Sequence, residues 1–202
     1  MQTKRKRGRA LWAGLVVVLG AAGAQAQVQY SGRALPLSLA MEAAHAAVQQ
    51  CAQQGYPVSA SVVDTAGVER VFLRADHSTV HTHDTALRKA YTVATLGPVF
   101  GVDSTGALVE KLGRSGNAAA LSTIPQVILL AGGVLIRVGG EPLAALGVGG
   151  APGGQLDEAC ARAGLAGIQA RLDAWPVPSP SPSPSPAAGP GSTNEKVLPS
   201  PR

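Results

Sequence analysis

Three of the chain's four histidines, His77, His81 and His83, crowd into one short stretch, and His45 stands apart earlier in the sequence. Neutral imidazole is a good ligand for haem iron or a transition metal, so the cluster is the first place to look for a bound cofactor. If a helix starts early enough to take in the cluster, His77 and His81 share a face, being four apart, while His83 points elsewhere. A haem iron asks for one or two axial donors above a flat apolar slot, and His81 or His83 could supply one. The same two are the expected ligands for a bare iron ion. A three-ligand zinc site needs a further donor, for which Asp76 or Asp84 stands nearby. The competing reading is a solvated helix start, with Asp84 in the first turn where the helix macrodipole favours negative charge. His45 lies among alanines on the flank of an apolar helical face, where packing or a hydrogen bond explains it as well as a ligand does.

Two cations follow the cluster. Arg88 and Lys89 could meet a carboxylate on a ligand, and ion pairs with Asp84 or Glu110 would use the same charges. Thr123, ahead of Ile124-Pro125, either faces a pocket with its hydroxyl or is a plain loop residue. Asp157 and Glu158 open a helix, where the dipole accounts for them without catalysis. The paired glycines build no phosphate loop, because neither Gly-x-x-x-x-Gly-Lys-Ser/Thr nor a Gly-x-Gly-x-x-Gly between strand and helix is present. No Gly-x-Ser-x-Gly, His-Glu-x-x-His or cysteine knuckle occurs either, so no catalytic set is identified.

The elements that must position these residues follow from spacing. Helices are expected over residues 38–54, with Ser38 as N-cap and Met41, Ala44, Val48 and Cys51 on one face, and over 79–96, stopped by Gly97-Pro98. A weaker helix covers 104–112 and a last one 155–172. The β-rich runs 58–64 and 68–74, separated by Thr65-Ala66-Gly67, read as a hairpin. Three apolar runs, 126–131, 134–138 and 143–148, broken by Gly132-Gly133 and Gly139-Gly140, read as three antiparallel strands. The order α-ββ-αα-βββ-α predicts an α+β domain, a five-stranded antiparallel sheet with helices packed against it. With 25 glycines, many alanines and only two Trp, three Tyr and two Phe, its layers should be thin and closely packed.

At the N-terminus, Lys4, Arg5, Lys6, Arg7 and Arg9 precede an apolar run from Ala10 to Ala22 and then Ala24-Gln25-Ala26, the three-part order of a signal peptide. Cleavage is expected after Ala26, with residues 27–34 as a short lead-in and a periplasmic or secreted product; an uncleaved anchor is the alternative. Five of the 17 Lys and Arg leave with the leader, and the remaining 12 balance 12 Asp and Glu. No basic stripe survives to release counterions from phosphates, so nucleic acid is not an expected partner. Cys51 and Cys160 are the only cysteines; export would let them form one bridge across a long loop, and two buried thiols are the alternative. Residues 35–172 suffice for a single core, whereas 173–202, in which Ser and Pro alternate through Pro186, are expected to be extended and disordered.

Four segments then carry a resemblance: Asp84-Thr-Ala-Leu-Arg-Lys-Ala-Tyr-Thr92, Ala131-Gly-Gly-Val-Leu-Ile136, Leu146-Gly-Val-Gly-Gly150 and Asp157-Glu-Ala-Cys-Ala-Arg-Ala-Gly164. Together they resemble the GlcG/HbpS family across nearly the whole domain. Two positions depart from its pattern, Leu135 where a proline is usual and Gly149 where a serine often ends the strand. The resemblance implies a profilin-like or roadblock-like fold, homo-oligomers and, in some relatives, haem or iron binding. On that reading His77, His81, His83, Arg88, Lys89 and Thr123 are the candidate cofactor-binding residues, with Arg88 or Lys89 opposite a haem propionate. The expected function is a haem-binding or iron-binding protein, non-catalytic or weakly redox-active. An accessory protein or enzyme of small carboxylic-acid metabolism and a scaffold module without cofactor are the alternatives.

Overall fold

The computed structural model describes residues 33–175. The expected leader and nearly all of the expected tail lie outside the described residues. Among the described residues, five helices and four strands follow in the order α1 (Leu37–Gln53), β1 (Ser59–Asp64), β2 (Glu69–Arg74), α2 (Thr82–Phe100), α3 (Thr105–Gly113), α4 (Ala118–Leu121), β3 (Gly133–Val138), β4 (Glu141–Gly149) and α5 (Gly154–Asp173). The strands form one antiparallel sheet in the order β2-β1-β4-β3.

The sheet's period of two divides its residues between two cores. Ala60 and Val62 of β1, Val134 and Ile136 of β3, and Leu146 and Val148 of β4 join the buried faces of α1 and α5 on one side. Val63, Leu135 and Ala145 face the other way, against Ala90, Val93 and Ala94 of α2. Because the two central strands, β1 and β4, are covered on both faces, each reads as a continuous buried run rather than an alternation.

Small residues let these layers approach to backbone contact. A Cβ on Gly147 would overlap the Ala86 carbonyl and stand 2.5 Å from the Ala90 nitrogen, and one on Gly133 would stand 2.5 Å from the Lys89 carbonyl oxygen. Helix α2 therefore rests on the sheet at glycines, as the composition predicted.

The fifth strand is absent. Residues 126–131 hydrogen-bond to α2 side chains instead: Ile128 N donates to Thr92 Oγ1 at 2.8 Å and Arg88 Nη2 donates to the Val127 carbonyl at 2.9 Å. With those partners engaged and Gln126 in a left-handed conformation (φ 65°), the segment drapes over α2 and adds no ladder. Gly139 and Gly140, both at positive φ, do make the tight β3–β4 turn.

Helix ends also differ from expectation. Helix α1 begins after Pro36 with no side-chain cap from Ser38, and Met41 is half exposed, the buried face being Leu39, Ala40, Ala43, Ala44, Ala47, Val48 and Cys51. Helix α2 runs through Gly97-Pro98 to a left-handed Gly101. Pro98 removes a single helical hydrogen bond this close to the end, and the amides of Gly101 and Val102 close the last turn onto the carbonyls of Pro98 and Gly97. The weaker helix expected over 104–112 is α3, and Ser104 caps it by accepting from Ala107 N.

Candidate functional site

A cleft of about 600 Å³ opens between α1 and the loop joining β2 to α2. One wall is a stripe of α1, His45, Val48, Gln49 and Ala52, at helical spacing i, i+3, i+4, i+7. The other is the end of β2 and the following turn, where Leu73 and Ala75 are apolar and Arg74, Asp76 and His77 are polar. His77 holds a left-handed backbone, φ 66°, a conformation uncommon outside glycine and concentrated at functional positions. Its side chain has no hydrogen-bond partner among the described residues. His45 makes only a long contact, 3.5 Å to Gln49 Nε2. The cleft thus offers two imidazoles above aliphatic surface, with the Arg74 cation at its edge.

The histidine cluster itself is dispersed. Helix α2 starts at Thr82, three residues later than expected, because the chain first makes turns in which Ser78 N donates to the Ala75 carbonyl and Thr82 N to the Thr79 carbonyl. His77 therefore lies before the helix and shares no helical face with His81. His81 is exposed and lines a separate, smaller cleft. His83 is occupied, with Nε2 3.2 Å from Glu69 Oε2 and its ring centroid 4.1 Å from that of Phe72. Expected together as iron ligands, His81 and His83 are given different neighbours. Among the described residues no group of three or more His, Cys, Asp or Glu is placed to hold a metal ion, so the zinc alternative through Asp76 or Asp84 has no counterpart.

The remaining candidates are engaged internally. Arg88 pairs with Asp84 at 3.5 Å and holds the Val127 carbonyl; Glu110 pairs with Arg114 instead. Lys89 is buried against Asp157, Nζ to Oδ2 at 2.6 Å. Burial pushes the Asp157 carboxyl above its ordinary value, against the opposing pull of Lys89. The exposed Thr123 hydroxyl donates to the Ala120 carbonyl. Cys51 and Cys160 are joined as a disulfide between α1 and α5, with Cα atoms 5.6 Å apart.

Sequence reasoning did not place His45 on the wall of a cleft. The signal was available in the stripe His45, Val48, Gln49 and Ala52, which is one helical row, but nothing local shows that the β2–α2 loop faces it.

Comparison with known proteins places this architecture. The profile described as haem degrading protein HbpS-like matches residues 35–166. A crystal structure of HbpS is 38% identical, covering 67% of this chain and 90% of that one at a TM-score of 0.61. A double mutant of Streptomyces reticuli HbpS is 36% identical, covering 76% and 97% at 0.60. A PduOC–haem complex, 23% identical over 67% and 95% at 0.58, shares the fold. Comparison with curated proteins yields no match. By the extent of the profile match and the identity to HbpS, and in keeping with the four segments that resembled it, the chain belongs to the HbpS-like family.

Proposed function

We propose that this is an exported haem-binding protein in which His45 and His77 would hold the haem in the cleft between α1 and the β2–α2 loop. The observation that carries this is the cleft itself, about 600 Å³ with two imidazoles unclaimed by strong hydrogen bonds over apolar side chains. Affinity would come chiefly from burying the macrocycle, at about 25 cal/mol per Å² of apolar surface removed from water, and ligation would add specificity. Arg74 at the edge is the cation suited to a propionate. The family's haem-related description and the PduOC–haem complex, which binds haem on the same fold, support the reading.

Export is supported by the three-part leader and by the Cys51–Cys160 disulfide, since disulfides persist in oxidising compartments. A periplasmic or secreted location follows. Self-association is supported by the outer edge of β2, which pairs with no strand among the described residues and beside which Val68 and Phe72 are exposed. Among the described residues no helix is long and apolar enough to cross a membrane.

The test is a hemin titration of the mature protein followed in the Soret region. A saturable shift is expected, weakened at least tenfold by His45→Ala or His77→Ala and unchanged by His83→Ala. A free-hemin spectrum at saturating protein rejects the proposal.

A further inference from the structure

The smaller cleft, about 290 Å³, lies between the start of α2 and the β4–α5 loop. At its wall sits Lys89, 98% buried yet donating only one hydrogen bond among the described residues, to Asp157. An ammonium has three N–H groups, so two have no protein acceptor. Asp157, by contrast, already takes three donors: Oδ2 receives Lys89, Oδ1 receives Ala151 N at 2.9 Å, and the Gly150 amide also faces it. At the same place α5, 20 residues long, begins on Gly154, and the amides of Gly154 and Gln155 precede the first helical carbonyl partner. His81 adds an imidazole to the rim.

We infer that this cleft is a second ligand site, separate from the haem cleft, that takes a short-chain monocarboxylate. The donor count makes the case. Lys89, the α5 amides and His81 all offer N–H groups, while the one acidic side chain lining the cleft is already matched. A carboxylate brings two oxygens with about four lone-pair positions, enough to complete Lys89 and meet the helix start together. The Lys89–Asp157 pair is formally neutral, so the surplus positive field comes from the helix terminus and is partial, which suits one negative charge better than two. The half-exposed Leu130 and the adjacent Pro152 give a short hydrocarbon chain an apolar mouth to lie against. The volume is about half that of the larger cleft, too small for a porphyrin and sufficient for a short acid.

Butyrate is the probe, titrated into the full mature protein while amide nitrogen–proton resonances are recorded, first without hemin and then with hemin bound. Saturable shifts are expected at Gly153, Gly154, Gln155 and His81 in both series, so a failure of the haem reading leaves this one standing. Leu130→Asp places a charge at the mouth without disturbing the buried pair and should weaken butyrate at least tenfold, with an unchanged circular dichroism spectrum. His81→Ala should weaken it about threefold. An absence of saturable shifts, an equal response to chloride or inorganic phosphate, or full affinity in Leu130→Asp overturns the inference.

Discussion

Nζ of Lys89 meets Oδ2 of Asp157 at 2.6 Å inside the fold, joining the middle of α2 to the first turn of α5 across 68 residues of sequence. The two helices pack against opposite faces of the sheet, and this pair joins them directly. Removing one partner strands the other's charge in the interior. Lys89→Met should therefore cost about 3 to 5 kcal/mol, whereas Lys89→Met with Asp157→Leu should recover most of that. Urea unfolding of the three proteins checks both signs.

The same aspartate gives stability a pH dependence of known sign. Burial raises its folded pKa above the unfolded value, so folding binds protons at this site. That contribution is fully present below the ordinary carboxylate range and is lost as pH rises through the folded value. The stability difference between the natural protein and Asp157→Asn should accordingly fall with increasing pH over that window, measured by denaturant titration at successive pH values.

The disulfide between Cys51 and Cys160 closes a loop with a sequence separation of 109 and clamps α1 against α5. Loop-closure entropy predicts that Cys51→Ser with Cys160→Ser lowers stability by about 4 to 5 kcal/mol. Because α1 supplies His45 to the larger cleft, the double variant should also bind hemin less tightly. An unfolding midpoint unchanged by reductant argues against the bridge.

Gly147 is where α2 meets the sheet. Gly147→Ala forces the new methyl onto the backbone of Ala86 and Ala90, which cannot turn aside, and should cost about 3 kcal/mol, at the upper end of overpacking. Gly113→Ala, at the end of α3 with nothing within 4 Å, should stabilise by about 0.5 kcal/mol. Thermal unfolding distinguishes the two.

Thr92 holds the segment that was expected to be a strand. Thr92→Val keeps the shape but removes the acceptor for Ile128 N, leaving that amide unpaired at a cost of about 1 to 3 kcal/mol. Amide hydrogen exchange at Ile128 should accelerate while the sheet amides stay protected.

Much of this was legible from local pattern. The 3.6-residue period located the major helices, and short β-rich or apolar runs bounded by glycine turns located the four strands, because both signals are local. Glycine and alanine content announced thin layers, and the four motif segments pointed to the family. Residues 126–131 were misjudged because an apolar run has the same local signature whether its backbone pairs with a strand or with side chains of a helix. Their partners, Arg88 and Thr92, lie more than thirty residues away.

The site divides along the same line. Residue types alone determined that this chain has imidazole, ammonium and guanidinium groups able to meet a cofactor, and that its two cysteines could pair. Only the folded chain decided which of them are free. It turned His83 onto Glu69 and Phe72, buried Lys89 against an aspartate from the far end of the domain, and set His45 across a cleft from His77. Helical and strand periods are properties of neighbouring residues, whereas a cleft and a charge pair depend on distances between elements that the packing of the sheet alone establishes.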